Sequence, residues 1–579
     1  MKFNAICGAF LASIPFLSLL TACGSKSDDG DMNDIDYIAV QEEKDGNWSF
    51  YAPDGKILYP DEFKQKPTCV VEGYFSVKEG DGYTLYKAAD KPEVVKDCEG
   101  LYDLGYMAEG LIPVTRPKER ITVIKGNGEA AFTLEPVKGK EITSCAPAFA
   151  EGLLWVTDED GKEGYVDTKG QVVIPLKYES ARDFHEGLAV VTIKNSDDEN
   201  EHLVIDKKGE TVFKIRKGFE LKKYFFRNGY LVAKDSNGRI VFLDTKGEIA
   251  YKAPAKVETV GEYNKNVFVF RNEDGEYGVM TFAGETLIRP KFEGIMLVGD
   301  KFLCNSDKEA VLLSASGDEE MSFDDFDRGV AYLGRFGYVG VDRQTSVFLD
   351  KEGKPLHNAE FNDISIDKSH SYNVSSDFFN TQAVVDAIVD KFTGKGLGKF
   401  VIGAHPSALF SSPDEYTYTS NVRLDEFDVK GYRFEIRFRA SFTTYMAYSN
   451  YQFNGWEYNY VKSWNPESEL NLLIAEISTQ TKWGNDGSKA IVKAFRDKGF
   501  ALKGETKESV SEYKALLTKG KVLVFVSSDK DSSNGAVFMA NASDDNVREL
   551  TNAIKRANDE PEEVAEEVVE EAAPAEAAK

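Results

Sequence analysis

The sequence predicts a mostly β repeat domain, as a β-propeller or, alternatively, an open β-solenoid, followed by a smaller α+β domain. Three observations predict this: a turn motif that recurs every 33 to 42 residues, short alternating strands around each copy, and helical periodicity confined to the C-terminal third. The chain has 579 residues, of which 42% are hydrophobic and 29% charged, which is typical of globular protein with several domains.

The repeated motif is a small-residue turn followed by a β-rich run, as in TKGQVVI and TKGEIAY. Glycine recurs in it because a tight hairpin needs a residue with positive φ. Nine units of roughly 37 residues, each with three to four short strands, therefore span residues 34–366. The turn glycines are Gly55, Gly128, Gly170, Gly209, Gly247, Gly284, Gly317 and Gly353, and Lys91 replaces the glycine of one copy.

Several polar residues inside the repeat are predicted to have structural roles. Asp167, Asp206 and Asp244 come just before a turn glycine, so we expect their carboxylates to accept backbone N–H groups of the hairpin. His185 is expected to be a surface turn residue. The recurrence of these aspartates at equivalent positions of the repeat favours a structural role, because an active site needs different residues that come together at one place.

The best copy of the repeat reads Gly164-Tyr165-Val166-Asp167, then GQVVIP from Gly170 and FHEGLAV from Phe184. This resembles the WG-repeat family, and Tyr277-Gly278-Val279 with residues 284–290 is a second copy. Glu163 and Tyr277 stand at the place of the hallmark Trp, so these are divergent repeats. The resemblance implies a bacterial envelope or secreted setting and a family without a shared catalytic residue. Four-stranded repeats of this size usually close into a propeller.

The N-terminus predicts export and lipidation. Residues 1–22 have the charge, apolar run and small residues of a lipoprotein signal peptide, and Leu20-Thr21-Ala22-Cys23 resembles a bacterial lipobox. Cys23 would then carry acyl chains such as palmitate, which anchor the protein to the outer membrane. Residues 23–33 form an acidic linker that resembles a surface-export signal. The alternatives are an ordinary signal peptide and a plain polar linker. For the other cysteines of the mature chain, no disulfide is predicted.

The C-terminal α+β domain is predicted over residues 371–558. FFNTQAVVDAIVDKF has an apolar face at helical spacing, and GYRFEIRFRASF alternates as a half-buried strand. Asn454-Gly455 predicts a hairpin turn that pairs aromatic residues across two strands. The candidate binding surface consists of Tyr451, Phe453, Trp456, Tyr458 and Tyr460, with an arginine row at Arg433, Arg437 and Arg439. The alternatives are aromatic pairing against a core and a solvated arginine face.

The composition also excludes functions. A formal net charge of −27 argues against nucleic-acid binding, and residues 559–579 are predicted to be an acidic disordered tail. We find no motif for catalytic residues, a cofactor or a metal. The sequence therefore predicts a lipid-anchored cell-envelope protein that acts as a non-catalytic binding scaffold for a protein or a polysaccharide. The alternatives are an envelope hydrolase with its active site in the C-terminal domain, and a structural subunit of an outer-membrane assembly.

Overall fold

The computed structural model describes residues 32–306, 309–323, 326, 328–342, 345–378, 381–411, 421–424, 429–430, 434–443, 446–453, 456–479, 483–507, 510–530 and 532–559. The chain divides into two compact units, the first ending at Phe378 and the second beginning at Phe379. Each unit has its own hydrophobic core.

Among the described residues, the short antiparallel strands of unit 1 form nine groups, named groups 1 to 9 in chain order, and groups 1 and 2 are also joined by pairing of the first strand of each. Group 1 contains β1 (Ile35–Gln41), β2 (Trp48–Tyr51) and β3 (Ile57–Phe63). Group 2 contains β4 (Val70–Val71), β5 (Tyr74–Glu79), β6 (Gly82–Lys87) and β7 (Glu93–Val94). Group 3 contains β8 (Asp103–Leu104), β9 (Leu111–Thr115), β10 (Thr122–Lys125) and β11 (Ala130–Thr133). Group 4 contains β12 (Ile142–Cys145), β13 (Leu153–Asp158), β14 (Glu163–Asp167) and β15 (Val172–Tyr178). Group 5 contains β16 (Ser180–Ala181), β17 (Leu188–Lys194), β18 (Asn200–Asp206) and β19 (Thr211–Lys214). Group 6 contains β20 (Glu220–Leu221), β21 (Leu231–Lys234), β22 (Ile240–Leu243) and β23 (Ile249–Lys252). Group 7 contains β24 (Thr259–Tyr263), β25 (Val267–Arg271), β26 (Tyr277–Thr281) and β27 (Thr286–Phe292). Group 8 contains β28 (Gly294–Val298), β29 (Lys301–Asn305), β30 (Ala310–Leu313) and β31 (Glu319–Phe323). Group 9 contains β32 (Val330–Tyr332), β33 (Tyr338–Val341), β34 (Ser346–Leu349) and β35 (Pro355–Phe361).

The ring of groups is closed by a strand from the far end of unit 1. Group 1 supplies only three strands of its own, and β36 (Asp363–Ser365) pairs antiparallel with β1, matching Ala39 with Ser365 and Val40 with Ile364. A sheet that is completed by both ends of a repeat domain closes the ring, and this closure identifies a β-propeller. The open solenoid has no such pairing.

The burial pattern follows from this arrangement. The middle strands are almost wholly buried, as in β9, β13, β22 and β30, because both of their faces pack against neighbouring groups. The fourth strands, such as β15, β19 and β23, are largely exposed. The outer rim of the propeller is therefore formed by the fourth strands.

The predicted hairpin caps are confirmed. Asp167 Oδ1 accepts the backbone N–H groups of Lys169 and Gln171, each at 2.9 Å. Asp206 and Asp244 hold their own hairpins in the same way. The carboxylate fixes the backbone of the turn, which allows the glycine that follows to adopt positive φ.

The turn glycines have a second role, in packing between groups. Gly247 has a φ of +78°, and a Cβ there would lie 2.4 Å from Phe213 Cδ2 of the preceding group. Gly170 meets Phe132 in the same way, at 2.5 Å. The fourth strand of one group therefore places a large side chain against the turn of the next, where only glycine leaves room.

Unit 2 is an antiparallel sheet with helices on both faces. Its elements are α1 (Thr381–Val389), α2 (Gly484–Asp497), α3 (Asp544–Asp559), β38 (Gly396–Leu397), β39 (Phe400–Val401), β40 (Asn421–Arg423), β41 (Val429–Lys430), β42 (Phe434–Phe442), β43 (Met446–Phe453), β44 (Trp456–Trp464), β45 (Leu470–Thr479), β46 (Ala501–Glu505), β47 (Glu512–Lys519), β48 (Val522–Asp529) and β49 (Asn534–Asn541). The strands of the sheet run in the order β40, β42, β45, β49, β48, β47, β46, and β41 also pairs with β42. Helices α1 and α2 share a core with one face, and Ile554 of α3 packs with Leu516 and Leu523 on the other.

The division between the units falls later than the predicted start at residue 371. Residues 374–375 form β37 (Val374–Ser375), which pairs with β12 of group 4 and so belongs to unit 1. Two predicted elements of unit 2 are confirmed. Helix α1 buries Val384, Val385, Ile388 and Val389, and β42 buries Ile436, Phe438, Ala440 and Phe442.

Candidate functional site

A two-residue turn joins the first and second strands in several groups. In group 4 it consists of Glu151 and Gly152, with φ values of 52° and 85°, between Ala150 and Leu153, which exchange both backbone hydrogen bonds. Positive φ at both positions is the geometry of a type I′ hairpin turn, which favours glycine at the second position. Groups 2, 3 and 5 carry the same Glu-Gly pair, and group 6 carries Asn228-Gly229.

A polar side chain in or near the corresponding position connects each of groups 1 to 7 to the group that follows it. Glu109 accepts the N–H of Gly152 at 2.9 Å, Glu151 accepts that of Gly187 at 3.0 Å, and Glu186 accepts that of Gly229 at 2.7 Å. We call this series the turn relay. Its members are Asp36, Glu72, Glu109, Glu151, Glu186, Asn228 and Glu262. The Glu-Gly pair thus recurs because it locks neighbouring groups together, a role that the sequence analysis did not assign.

Two relay members, Asn228 and Glu262, line a central cavity of about 920 Å³. All nine groups contribute to its wall: groups 3 to 9 through residues at the end of the first strand or in the connection to the second, and groups 1 and 2 through residues 32–35 and 66–68. The lining includes Asp34, Ile35, Thr68, Tyr106, Ala108, Phe149, Asp183, His185, Arg227, Asn264, Met296, Leu297, Tyr332 and Arg335. His185 flanks the Glu186-Gly187 turn, as expected, and its half-buried side chain lies in the cavity wall, beside Phe225 with a ring-centroid distance of 5.4 Å.

One stretch of chain covers part of this wall. Residues 366–376, here called the strap, leave the closing strand β36 and cross groups 2 and 3 before β37 joins group 4. Cys69 donates its N–H to Asp367 O at 2.8 Å, the Ser369 hydroxyl donates to Leu104 O at 3.3 Å, and Ser375 N–H donates to the Asp103 carboxylate at 2.8 Å. The strap is held mainly by backbone groups and by small side chains.

Burial and charge distinguish the two sides of the cavity. On the strap side, Lys66 pairs with Asp367 at 3.0 Å and Lys368 with Asp34 at 2.6 Å. The strap residue His370 stacks on Tyr83, and burial lowers its pKa, which favours the neutral imidazole.

On the opposite side, burial raises the pKa of Glu262, while the N–H of Leu297 and the charge of Arg227 oppose that shift. Arg227 itself has no ion pair within 4.0 Å among the residues that the structure describes. It is therefore a cavity-lining guanidinium that interacts with the Glu262 carboxylate through charge at longer range.

One of these repeats matches a known protein family. Residues 164–195 match the family model described as WG containing repeat. The chain contains WG-type repeats. The matched repeat begins in β14 and ends just after β17, so it combines the end of one group with the start of the next. No curated protein matches the chain.

Several solved structures are similar to part of this chain, with low TM-scores. BamB from Moraxella catarrhalis is 12% identical, with a TM-score of 0.29 over 50% of this chain and 92% of that chain. The WD40 beta propeller domain of Doa1 is 13% identical, with a TM-score of 0.22 over 42% and 88%. KlHsv2 with loop 6CD replaced by a Gly-Ser linker is 12% identical, with a TM-score of 0.26 over 43% and 89%. The propeller assignment therefore rests on the sheet topology above.

The predicted aromatic surface lies in unit 2, on β43 and β44. These strands pair with Phe453 opposite Trp456 and Tyr451 opposite Tyr458, and Tyr460 lies opposite Ser449. The turn residues Asn454 and Gly455 lie outside the described residues. The backbone register thus agrees with the expected hairpin, while the binding role of its aromatic residues stays a prediction.

Two arginines of the predicted row have carboxylate partners. Arg437 forms an ion pair with Glu435, and Arg439 pairs with Glu476 at 3.0 Å, so both have carboxylate partners of the kind expected for a solvated face. Arg433 and Cys23 lie outside the described residues.

Other reactive groups have structural roles. Cys69, Cys98, Cys145 and Cys304 are buried free thiols, and burial raises the pKa of Cys98 to about 11. His405 accepts the N–H of Ser407 and so caps a short 3-10 helix. No group of three or more His, Cys, Asp or Glu side chains in the described part of the chain could hold a metal ion. Among the helices of the same residues, none is long and apolar enough to cross a bilayer.

Proposed function

We propose that this chain is a lipid-anchored envelope protein whose propeller is a non-catalytic scaffold that binds a protein or a polysaccharide in the central cavity. The observation that carries the proposal is a cavity of about 920 Å³ with contributions from all nine groups. Ligand sites typically have volumes of roughly 300–1,000 Å³, and the wall of this cavity offers more polar than apolar surface. Tyr106, Phe149 and Met296 supply apolar surface here, and Arg227 supplies charge.

The variation of the lining residues also supports binding. The residue immediately before the Glu-Gly or Asn-Gly turn is Ala108 in group 3, His185 in group 5 and Arg227 in group 6. The turn itself recurs because it holds the ring, whereas the residue before it is valine in group 2, alanine in groups 3 and 4, histidine in group 5 and arginine in group 6. A constant frame that presents different side chains to one cavity is suited to recognition.

Lipidation at Cys23 would keep this cavity near a membrane. Met32 and Asp34 line the cavity, and nine peptide units separate Met32 from Cys23. A fully extended chain spans at most about 3.3–3.6 Å per residue, so the acylated residue lies within about 32 Å of the cavity wall. The ligand would therefore be met close to the bilayer surface.

Cys23→Ser is expected to abolish anchoring. Without the thiol, the acyl chains that hold the protein in the bilayer cannot be attached. The measurement is metabolic labelling with a palmitate analogue, together with fractionation of membranes from cells that produce either form. Cys304→Ser, which changes a buried thiol of group 8, is the matched control and should be labelled like the wild type. Equal labelling of the Cys23 variant would contradict lipidation at this residue.

Ala108→Trp is expected to prevent ligand capture, because the indole would fill part of the cavity beside the turn of group 3. Ala130→Trp makes the same substitution on the exposed fourth strand of that group and serves as control. The measurement is chemical cross-linking in intact cells, followed by purification and identification of bound proteins and glycans. Capture that is equal for both variants would place the binding surface outside the cavity and lead to the aromatic hairpin of unit 2.

A further inference from the structure

A patch of polar side chains, here called the polar arc, lines the cavity where groups 6 and 7 meet. It consists of Arg227 and Asn228 from group 6 and of Glu262 and Asn264 from group 7, and all four residues are half-buried. Asn228 Nδ2 donates to Tyr263 O at 3.1 Å, and Arg227 acts on the Glu262 carboxylate through charge. The polar arc is therefore one continuous part of the wall.

Hydrogen bonds to the backbone hold three side chains of the polar arc in place. Besides Asn228, Glu262 Oε2 accepts an N–H of group 8 at 2.7 Å, and Asn264 Oδ1 accepts two N–H groups of its own turn at 2.8 and 3.0 Å. Within the described part of the chain, this leaves Asn228 Oδ1 and Glu262 Oε1 as acceptors and Asn264 Nδ2 as a donor. Side chains that are already held bind a ligand with a smaller loss of conformational entropy.

Positive and negative charges are balanced in the cavity. Among the described residues, four cationic and four anionic side chains line it, although the whole chain has a formal net charge of −27. Opposite charges also lie close together, since Lys66 pairs with Asp367 at 3.0 Å and Lys368 with Asp34 at 2.6 Å. A wall without a field of one sign does not favour a strongly charged ligand.

The arrangement of donors and acceptors favours hydroxyl groups. A hydroxyl both donates and accepts hydrogen bonds, so a ring with several neighbouring hydroxyls fits a wall where donors and acceptors lie side by side. An extended peptide would instead need a free strand edge. In the polar arc, Tyr263 O and Leu297 N–H are already bonded to relay side chains.

A sugar ring also needs an apolar surface for its C–H groups. Tyr372 of the strap supplies one, because it lines the cavity and is 62% exposed. Tyr106 and Tyr332, both half-buried, add aromatic surface in groups 3 and 9. A tyrosine ring offers a large apolar face and loses little conformational freedom when a ligand packs on it.

We propose that the central cavity binds a neutral oligosaccharide, with its hydroxyls bonded to the polar arc and one of its rings stacked on Tyr372. This inference rests on the proposed scaffold function and narrows its ligand from a protein or a polysaccharide to an uncharged carbohydrate. The cavity of about 920 Å³ is near the upper end of the roughly 300–1,000 Å³ that is typical of ligand sites, so it accommodates more than one ring.

The test begins with an array of neutral and acidic oligosaccharides that is probed with the mature protein. Titration calorimetry then measures the affinity of the best neutral ligand. Tyr372→Ala should weaken this affinity about tenfold, whereas Tyr372→Phe retains the ring and should bind like the wild type. Tyr102→Ala removes an exposed tyrosine that does not line the cavity, and it serves as control. Circular dichroism and the unfolding temperature verify that the variants are folded.

Asn264→Asp tests the polar arc. The substitution replaces the Nδ2 donor with an acceptor and retains the oxygen that holds the turn, so we expect binding to weaken about tenfold or more. Asn266→Asp adds the same charge at an exposed residue of that turn, outside the cavity lining, and should bind like the wild type.

Ionic strength distinguishes neutral from acidic ligands. The affinity for an uncharged sugar should be the same at low and high salt, whereas screening would weaken the binding of an acidic one. Binding of acidic sugars alone, no binding of any neutral sugar on the array, or an affinity that is insensitive to Tyr372→Ala and Asn264→Asp would overturn the inference.

The outcome for the proposed function is separate. If no neutral oligosaccharide binds while intact cells still yield a protein whose capture Ala108→Trp prevents, the carbohydrate inference fails and the scaffold function stands. If neither the array nor the cells yield a cavity-dependent ligand, both fail.

Discussion

Replacing Ile364 with aspartate is expected to open the propeller. Ile364 is 5% exposed and packs in a core shared by groups 1, 8 and 9, on the only strand that joins the end of the ring to β1 among the described residues. A buried carboxylate without a partner costs about 3–5 kcal/mol. Because the pairing of β36 with β1 comprises three residue pairs, we expect this cost to release β36 from β1 before it unfolds the remaining groups.

Hydrogen–deuterium exchange of the mature protein measures this opening. Faster exchange is expected in β1, β2 and β36, with much smaller changes in groups 4 to 6. Asp363→Asn changes the exposed neighbour on the same strand and should exchange like the wild type. If Ile364→Asp left the exchange of β1 unchanged, closure would not depend on this strand.

Gly247→Ala is expected to destabilise the contact between groups 5 and 6. The substitution forces a left-handed backbone on a residue with a Cβ, and it places that Cβ 2.4 Å from Phe213 Cδ2. The first effect costs about 1–2 kcal/mol and the second about 1–3 kcal/mol. The sum of about 2–5 kcal/mol should appear as a lower midpoint of urea unfolding and as faster exchange in β19 and β23.

Gly275→Ala separates the two effects. Gly275 has a φ of +87°, but a Cβ there would meet no atom within 4 Å. It should show the backbone cost alone. Shortening the partner by Phe213→Leu should recover part of the loss in Gly247→Ala and none in Gly275→Ala. Equal losses at both glycines would mean that positive φ alone explains why glycine recurs.

The sequence predicted the features that repeat. The recurring glycines identified the hairpins, and Asp167 was assigned its capping role because carboxylates hold turns in a known local geometry. Helix α1 was found from its apolar spacing, since burial of one face leaves a period in the sequence. Local rules suffice for all of these features.

Features that occur once could not be predicted in this way. The closing strand β36 has only three residues, too few for a periodic signal, and its partner β1 lies more than 300 residues earlier in the chain. The strap has no recurring motif because it passes several groups and repeats none of them. Pairing between such distant segments depends on the closed ring, which no local pattern specifies.

The cavity residues were missed for a related reason. His185 was assigned to a surface turn because the position before Glu-Gly varies among repeats, and Arg227 received no role. Variation at one position of a constant frame was nevertheless a usable signal, since Ala108, His185 and Arg227 occupy that position and all line the cavity. The dense aromatic pattern of Tyr451 to Tyr460 is more conspicuous in sequence and predicts a binding surface in unit 2 instead.

The matched repeat, residues 164–195, begins in group 4 and ends after the second strand of group 5. The segment that recurs along the chain therefore encodes a boundary between two sheets, including β15 with β17. Duplication of such a segment would insert a complete boundary and leave both neighbouring sheets with four strands. Rings of this kind can thus gain or lose members by copying DNA in steps of one repeat, and only the closing pair at the two ends must adapt to the new circumference.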